Sequence, residues 1–292
     1  WQIDEWAGAH PGRIIPLALV PYWSGDAAAE EVRRVAKKGC RAICFLDNPA
    51  ARGFASVHDA MWEPLWKACN DERVVINCHI GTGSEPPHSS DLSPMNAWIT
   101  SMPISVANAA ADWLHLAALH RYPDLKIALS EGGIGWIPYF LERSEFTFDH
   151  HIWTNVDMGG KRPADVFREH FITCFISDKF GLKNYEEIGE DIIAYECDYP
   201  HSDCTWPYAP EQIWSEIKDL PVPVINKITH ENVMRDYSYN PFSILDREDC
   251  TVGSLRAKAT HVNTEPKSQP GFNPDKGRGV VTSGDVAAAF GR

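Results

Sequence analysis

The stretch VVINCHIGTGS, residues 74–84, carries the pattern on which the fold prediction depends. A short run rich in β-branched residues leads to His79, and a turn containing Gly81 and Gly83 follows. An apolar run of this length, bounded by a glycine-containing turn, predicts a buried strand. His79 is therefore expected where that strand ends, the place where parallel sheets gather their functional groups.

Runs of the same kind recur along the chain, with amphipathic helical segments between them. This alternation is typical of βα units that form a parallel sheet. A strand of such a sheet is buried on both faces, which explains why the runs are apolar without strict alternation. The predicted strands span residues 14–20, 41–46, 74–79, 125–130, 171–177 and 191–196.

The segments between the strands predict helices. Ser24 or Asp26 can cap the first helix, and Gly39 can end it. A segment rich in Ser, Pro and Asp, residues 82–103, has no periodicity and predicts a long loop. The polar residues 246–292 predict an extended tail after a barrel domain of residues 1–245. Further helices are predicted at 106–121, 136–151, 163–170 and 211–220.

Six βα units in one direction fit either an open doubly wound sheet or part of a closed (β/α)₈ barrel. The first strand-to-helix turn lacks the glycine-rich phosphate-binding motif of a doubly wound nucleotide-binding fold. His79, Glu131 and Asp198 stand where three different strands end, and a barrel brings such positions together at one mouth. The sequence therefore predicts an α/β fold of the (β/α)₈ TIM-barrel type.

Composition excludes several classes of protein. The chain has 292 residues and a net charge of −13, which disfavours nucleic acid and anionic lipid as partners. No stretch reaches the roughly 18 consecutive apolar residues that a membrane-spanning helix needs. The eight cysteines include no Cys-x-x-Cys pair, and several lie in apolar runs, which favours a reduced, cytoplasmic protein. A small molecule is the predicted partner.

Three residues are candidates for a metal site. The imidazole of His79 suits a metal ligand or a general base, although a structural hydrogen bond to a neighbouring strand is the alternative. Asp198, in ECDYPHSD, can bind a metal and take a proton from a water, or it can cap a turn. Glu131, in SEGGIGW, is followed by glycines that permit close approach, or it pairs with a cation. We predict all three as metal ligands, and Asp198 and Glu131 also as catalytic residues.

Other residues near these strand ends have weaker signals. His201 follows Asp198 closely and is predicted to contact the substrate, although a loop histidine is as often simply solvated. Trp136 and Trp206 are predicted as aromatic substrate contacts. Asp178 also follows a strand, but its position before KFGLKNYEE is typical of a helix N-cap.

Six blocks, in order, resemble the amidohydrolase-related family that includes aminocarboxymuconate-semialdehyde decarboxylase. They include VVINCHIGTGS, LKIALSEGGIGWIPYFLER, ECDYPHSDCTWP and ITHENVMRDYSYNPF, and the resemblance covers residues 1–245. It implies a (β/α)₈ barrel with one divalent metal ion at its mouth, zinc or alternatively manganese. His79 then matches the fifth-strand metal ligand and Asp198 the eighth-strand carboxylate.

The resemblance also implies two departures from the family pattern. The six predicted strands correspond to the third to eighth strands of the barrel, so strands 1 and 2, with their His-x-His ligands, are expected to be missing from this chain. Glu131 stands where the family has a sixth-strand histidine. A carboxylate cannot replace a cationic imidazolium as a donor, so Glu131 is expected to bind the metal or act as a base.

These observations lead to three functional hypotheses. The first is a metal-dependent hydrolase that acts on a small carboxylated or cyclic compound through a metal-activated water. The second is a non-oxidative decarboxylase that uses the same site. The third is a catalytically inactive barrel, because a metal is held poorly by only two or three ligands. Family habit also implies a homodimer.

Overall fold

The computed structural model describes residues 1–83, 87, 89–265 and 279–289, and within them it contains one six-stranded parallel sheet. All six predicted strands are present, each trimmed by a few residues or none. Their order in the sheet is their order in the chain, so every strand pairs with its sequence neighbours. The strands are β1 (Leu17–Leu19), β2 (Ala42–Leu46), β3 (Val75–His79), β4 (Ile127–Ser130), β5 (Phe171–Phe175) and β6 (Ile193–Tyr195).

The register of the sheet aligns the carboxyl ends of its strands. His79, the last residue of β3, is paired with Leu46 on one side and with Ser130 on the other. Phe175 is paired with Tyr195 in the same way at the ends of β5 and β6. Residues that follow these strands are thus brought to one edge of the sheet, as the strand pattern predicts.

Helices connect the strands and pack on the outside of the sheet. The first begins after Ser24, whose hydroxyl accepts a hydrogen bond from the Ala27 amide at 3.2 Å, so the predicted cap is confirmed. The helices are α1 (Gly25–Ala36), α2 (Glu63–Glu72), α3 (Met95–Leu114), α4 (Ala118–Arg121), α5 (Ile137–His150), α6 (Pro163–His170), α7 (Lys179–Lys183), α8 (Tyr185–Ile188), α9 (Ala209–Ile217), α10 (Val222–Asn226), α11 (Asn232–Asp236), α12 (Val252–Lys258) and α13 (Ser283–Ala289).

The prediction of a loop over residues 82–103 is wrong in its second half, because α3 begins at Met95 and contains Pro103. An internal proline costs a helix about 3 kcal/mol or more through one lost hydrogen bond and a steric clash. The C-terminal half of α3 offsets this cost by burying Val106, Trp113 and Leu114 against the sheet.

Most of the hydrophobic core lies between the outer face of the sheet and the helices. Its densest part, which we call the aromatic core, consists of Phe45, Trp62, Trp66 and Trp113. These rings are 1 % exposed or less, and neighbouring rings meet mainly edge to face with centroids 5.2 to 6.0 Å apart. The aromatic core ties α2 and α3 to β2.

A second, smaller apolar cluster lies on the inner face of the sheet. Val75, Ala128, Ile172 and Ala194 contribute one residue from each of four strands, and the α11 region covers them. The hydroxyl of Tyr237, which follows α11, donates a 2.5 Å hydrogen bond to Asn77 Oδ1 on β3. The C-terminal part of the barrel domain therefore closes the inner face away from the carboxyl ends.

The segment after residue 245 contains two short helices within its described part, so those residues are not extended. α13 contacts the start of α3, where Ser283 donates from its amide to the Ser93 carbonyl at 2.9 Å. Residues 266–278 and 290–292 of the predicted tail lie outside the described residues. The division into a domain of residues 1–245 and a tail stays a prediction. None of the described helices combines the length and apolar character needed to cross a bilayer.

Candidate metal centre

Three strands deliver the polar side chains that the sequence singled out to one rim of the sheet. His79 is the last residue of β3, Glu131 follows β4 directly, and Asp198 lies three residues beyond β6. Glu196 follows β6 directly and joins them. We call these four residues the carboxyl-end rim.

Two of the three rim acids, Glu131 and Asp198, have left-handed backbone. The φ angle is +59° at Glu131 and +59° at Asp198. A left-handed conformation costs a non-glycine residue about 1 kcal/mol or more, and such strain concentrates at functional sites. The turns that aim these two carboxylates at each other are therefore held against a local energetic cost.

His79 and Glu131 form an ion pair. Nε2 of His79 lies 3.0 Å from Oε2 of Glu131, and Nδ1 donates to the Ile80 carbonyl at 2.7 Å. The hydrogen bond to Glu131 raises the pKa of His79 to about 9, against the opposing effect of burial. The same hydrogen bond lowers the pKa of Glu131 to about 2. Because Nδ1 is committed to a carbonyl, Nε2 is the nitrogen that His79 presents to the site.

Glu131 also belongs to a compact group of potential ligands. One side-chain atom each from Glu131, Asp198 and His201 lie within 4.8 Å of one another. Nδ1 of His201 is 2.8 Å from Oδ2 of Asp198. Burial, and then the nearby Glu131 carboxylate, raise the pKa of Asp198 to about 6. Two carboxylates at this separation repel each other unless a proton or a cation lies between them.

The donor set fits a divalent cation. Oδ2 of Asp198 is buried and lies 2.8 Å from Nδ1 of His201 without hydrogen-bond geometry, so both atoms can bind a shared cation. Two carboxylates and an imidazole are ligand types that Mn²⁺ and Zn²⁺ both accept. His79 is connected to this group through Glu131. The structure thus brings the three predicted ligands to one rim and adds His201, predicted from sequence only as a substrate contact.

Glu196 is a member of the rim that the sequence analysis missed. Its Oε1 accepts a 2.7 Å hydrogen bond from the Glu131 amide, which holds the turn carrying Glu131. Burial raises the pKa of Glu196 to about 7. The sequence does place Glu196 next to the strand end and two residues before Asp198. The predicted strand, residues 191–196, includes Glu196 as its last residue, so it was not treated as a site residue.

Asp178, an acid outside the rim, supports the turn that carries Glu131. Asp178 caps α7 as predicted, because its Oδ1 accepts from the Gly181 amide at 2.8 Å. Its Oδ2 also accepts from the amides of Ile134 at 2.8 Å and Gly135 at 2.6 Å. Asp178 therefore links α7 to the loop that follows Glu131, a role that no local sequence pattern indicates.

Asp47 plays the corresponding role after β2. Its side chain is buried, and Oδ1 accepts from Thr82 Oγ1 at 3.1 Å and from the Gly83 amide. A side chain at Gly83 would meet the backbone of Asn48 at 2.2 Å, so the turn after His79 packs directly on the turn after β2. The GTG sequence after His79 thus serves this close approach.

The two predicted aromatic contacts lie in different surroundings. The indole N–H of Trp136 donates to the carbonyls of Gly132 and Gly133 at 2.9 and 3.1 Å, and its ring packs on Phe140. Trp206 is 38 % exposed, packs at a tilt on Tyr199 and lines a cleft of about 820 Å³ between the loop after β6 and α12. Trp136 is thus occupied in shaping the Glu131 turn, whereas Trp206 faces open space. Substrate contact by either stays a prediction.

Comparison with known proteins gives one family match. A family model described as Amidohydrolase matches residues 1–237. No protein of curated function matches the chain by sequence. The similarity therefore rests on the family model and on solved structures.

Several solved structures are similar to this chain. The 5-carboxyvanillate decarboxylase of Sphingomonas paucimobilis matches with a TM-score of 0.66 and 18 % identity, over 82 % of this chain and 70 % of that one. The 2,6-dihydroxybenzoate decarboxylase of Rhizobium matches with 0.61 and 19 %, over 81 % and 74 %. A dihydroxybenzoic acid decarboxylase of Polaromonas sp. JS666, with bound manganese and 2-nitroresorcinol, matches with 0.61 and 20 %, over 81 % and 72 %. The predicted barrel-type fold is confirmed, with six strands in the described residues.

Proposed function

The chain belongs to the amidohydrolase family, and on that premise we propose that its carboxyl-end rim is the site of a metal-dependent, non-oxidative decarboxylase. The proposed substrate is a small cyclic compound that carries a carboxylate. The single observation that supports this most is the convergence within 4.8 Å of Glu131, which follows β4, with Asp198 and His201, which follow β6.

Glu131, Asp198 and His201 would hold the cation, and His79 would hold Glu131 in place or join the ligands. When bound, a divalent cation supplies a Lewis acid for the oxygens of a substrate carboxylate or carbonyl. The carboxylate-rich donor set favours manganese over zinc, because harder oxygen ligands suit Mn²⁺. The manganese in the Polaromonas structure supports the same choice.

The residues of the chain can supply the proton that decarboxylation requires. When the bond to the carboxylate carbon breaks, CO₂ leaves and the electron pair stays on the ring carbon, which must then take a proton. Asp198 would be ionised as a metal ligand, so Glu196 is the rim acid left to carry that proton, since burial raises its pKa and favours its protonated form. Glu131 is unsuited to this role, because His79 keeps it ionised.

Hydrolysis is the second candidate, and the contact of Asp198 Oδ2 with His201 Nδ1 at 2.8 Å is the observation that favours it, because it places an ionised carboxylate at the rim that can act as a base. In this reaction Asp198 accepts a proton from an attacking water. The names of the similar structures support decarboxylation rather than hydrolysis. They share under a quarter of their residues with this chain, so the choice between the two reactions belongs to experiment.

The test uses the full chain, loaded separately with Mn²⁺ and Zn²⁺. Bound metal is measured by elemental analysis after gel filtration, and CO₂ release is followed with 2,6-dihydroxybenzoate and 5-carboxyvanillate. Asp198→Asn is expected to lower metal affinity by at least tenfold and to abolish CO₂ release. Asp203→Asn is the matched control, because Asp203 is an exposed residue of the same loop.

Three outcomes discriminate between the hypotheses. CO₂ release that depends on metal and on Asp198 supports the decarboxylase. Metal binding with ester or amide hydrolysis, and no CO₂ release, supports the hydrolase. Equal metal content in the wild type, Asp198→Asn and Asp203→Asn would overturn the proposed site and favour the inactive barrel.

Further features of the proposal concern the surroundings of the site. Trp206 and His201 lie on the loop after β6 and are proposed to contact the substrate, with Trp136 shaping the opposite wall. Assembly as a homodimer and a cytoplasmic location stay predictions. Sedimentation analysis of the purified chain tests the first of these.

A further inference from the structure

Two cysteines flank the loop that carries Asp198 and His201. Cys197 immediately precedes Asp198, and Cys204 lies three residues beyond His201. Their Sγ atoms are 3.5 Å apart. We propose that Cys197 and Cys204 are a redox modification site, at which a peroxide-type oxidant forms a reversible disulfide.

The backbone of the loop brings the two cysteines together. The His201 amide donates to the Asp198 carbonyl at 2.8 Å, and the Cys204 amide donates to the His201 carbonyl at 3.2 Å. The Thr205 amide then donates back to the Cys197 carbonyl at 3.4 Å. These bonds close the loop on itself. A disulfide has an S–S distance of about 2.05 Å, so the sulfurs need to approach by about 1.5 Å, which is within reach of side-chain rotation.

Burial separates this pair from two other cysteines of the described chain. Cys69 and Cys78 are fully buried in the hydrophobic core, where an oxidant cannot reach them. Cys197 and Cys204 are partly exposed, and His201 and Asp203 between them are exposed. The Trp206 amide donates to Cys204 Sγ at 3.2 Å. Burial raises the pKa of the Cys204 thiol against the effect of this N–H group, so the order of reaction follows from exposure instead: Cys204 adjoins the exposed Asp203 and is assigned as the thiol that reacts first.

The proposed reaction is balanced with hydrogen peroxide as the oxidant. The Cys204 thiolate attacks one peroxide oxygen, the O–O bond breaks, and hydroxide leaves with the electron pair to become water. The Cys197 thiolate then attacks the sulfenic acid sulfur, the S–S bond forms, and the S–O bond breaks with loss of a second water. The two thiols lose two electrons and two protons in total, and the peroxide is reduced to water.

The disulfide would fix the loop that carries two of the three candidate ligands. Asp198 and His201 both lie inside the ring that the bond closes. A cross-link reduces the number of conformations that a loop can adopt. Here the conformation that remains would be the one that places Asp198 beside Glu131. The inference rests on the two thiols alone and stands whether or not the site binds a metal.

The full chain is treated with hydrogen peroxide, alkylated without reduction, digested and analysed by mass spectrometry. The expected product is a peptide containing Cys197 and Cys204 that is unalkylated and lighter by two hydrogens than its reduced form. Dithiothreitol should restore the reduced mass. Cys204→Ser, which keeps an acceptor for the Trp206 amide, and Cys197→Ala should both abolish this product.

Cys250→Ser is the matched control, because Cys250 is also partly exposed but lies next to the Leu245 carbonyl. This variant should form the Cys197–Cys204 product as the wild type does. Circular dichroism confirms that each variant is folded before treatment. Full alkylation of both thiols after treatment, or their pairing with other cysteines, would overturn the proposal.

Discussion

The aromatic core and the carboxyl-end rim belong to one sheet and its helices but follow opposite physical rules. In the aromatic core, Trp62 and Trp113 are fully buried, and both indole N–H groups donate to backbone carbonyls, at 3.1 and 2.9 Å. In the rim, two carboxylates face each other on left-handed backbone, and the buried Oδ2 of Asp198 lies 2.8 Å from Nδ1 of the exposed His201. The two indole N–H groups of the aromatic core are paired with backbone carbonyls, whereas the polar groups of the rim are crowded together and available to bind a ligand.

This difference shows that the aromatic core stabilises the folded state and that the carboxyl-end rim destabilises it. Burial of large aromatic side chains stabilises the fold by several kcal/mol each. Like charges, desolvated acids and strained turns lower stability, and they persist where a ligand or a reaction requires them. We therefore expect substitutions in the core to destabilise the protein and neutral substitutions at the rim to stabilise it when no metal is bound.

The largest effect is expected for Trp113→Ala. This change removes a ring that packs edge to face on Phe45 and Trp66, and it also removes the hydrogen bond to the Asp47 carbonyl. We expect the free energy of unfolding to fall by about 3 to 5 kcal/mol, measured by urea denaturation. Trp153→Ala, at a site that is 77 % exposed, should cost less than about 1 kcal/mol. Equal costs for the two variants would contradict the assignment of the core.

Glu196→Gln tests the rim in metal-free protein. The folded pKa of Glu196 is about 7, above its ordinary value of 4.5, so the folded state binds the proton more tightly than the unfolded state does. This contribution to stability is complete below pH 4.5 and is lost as the pH rises to about 7. Glutamine removes the titration. The variant should therefore gain about 3 kcal/mol over the wild type between pH 4.5 and pH 8.

Thermal and urea denaturation in the presence of a chelator, from pH 4.5 to 8, measure this difference. Glu187→Gln, at an exposed position on α8, provides the control and should show the same pH dependence as the wild type. If Glu196→Gln runs parallel to the wild type over this range, Glu196 is not desolvated by its surroundings and the contrast between the two regions weakens.

Asp178→Ala is expected to have a smaller effect, because Asp178 belongs to neither region and only supports the turn behind Glu131. The change removes the cap of α7 and the acceptor for the amides of Ile134 and Gly135. We expect a loss of about 1 to 2 kcal/mol. Asp178→Asn keeps one acceptor oxygen and should lose less. A chemical-shift or hydrogen-exchange change confined to α7, with none in residues 131–136, would contradict its role in positioning Glu131.

The sequence predicts the sheet well because strands buried on both faces leave a strong local signal. All six strands were found, and the helix after β1 was placed correctly from Ser24 and its apolar stripe. The start of α3 was missed because Pro103 and the neighbouring polar residues argue locally against a helix, and only burial of Val106 and Trp113 overrides them. Packing between elements distant in the chain cannot be inferred from such a segment.

The candidate site was predicted less completely. His79, Glu131 and Asp198 were identified because each stands at a strand end. Glu196 was missed because a shift of one residue in the predicted end of β6 decides whether its side chain belongs to the strand or to the site. Periodicity does not fix the end of a strand to one residue. The role of His201 beside Asp198 depends on the path of a loop, which no pattern of residue types determines.

The sequential strand order has a consequence for how the chain acquires its structure. Each strand pairs with the strand made just before it, so no part of the sheet must wait for a distant segment before it can pair. The loop-closure entropy is smaller for these neighbours than for strands that skip a unit, and each parallel pair still closes a crossover that contains a helix. As the chain leaves the ribosome, the β2–α2 and β3–α3 units can already assemble around the aromatic residues. The acids of the rim come together only when β6 has been synthesised.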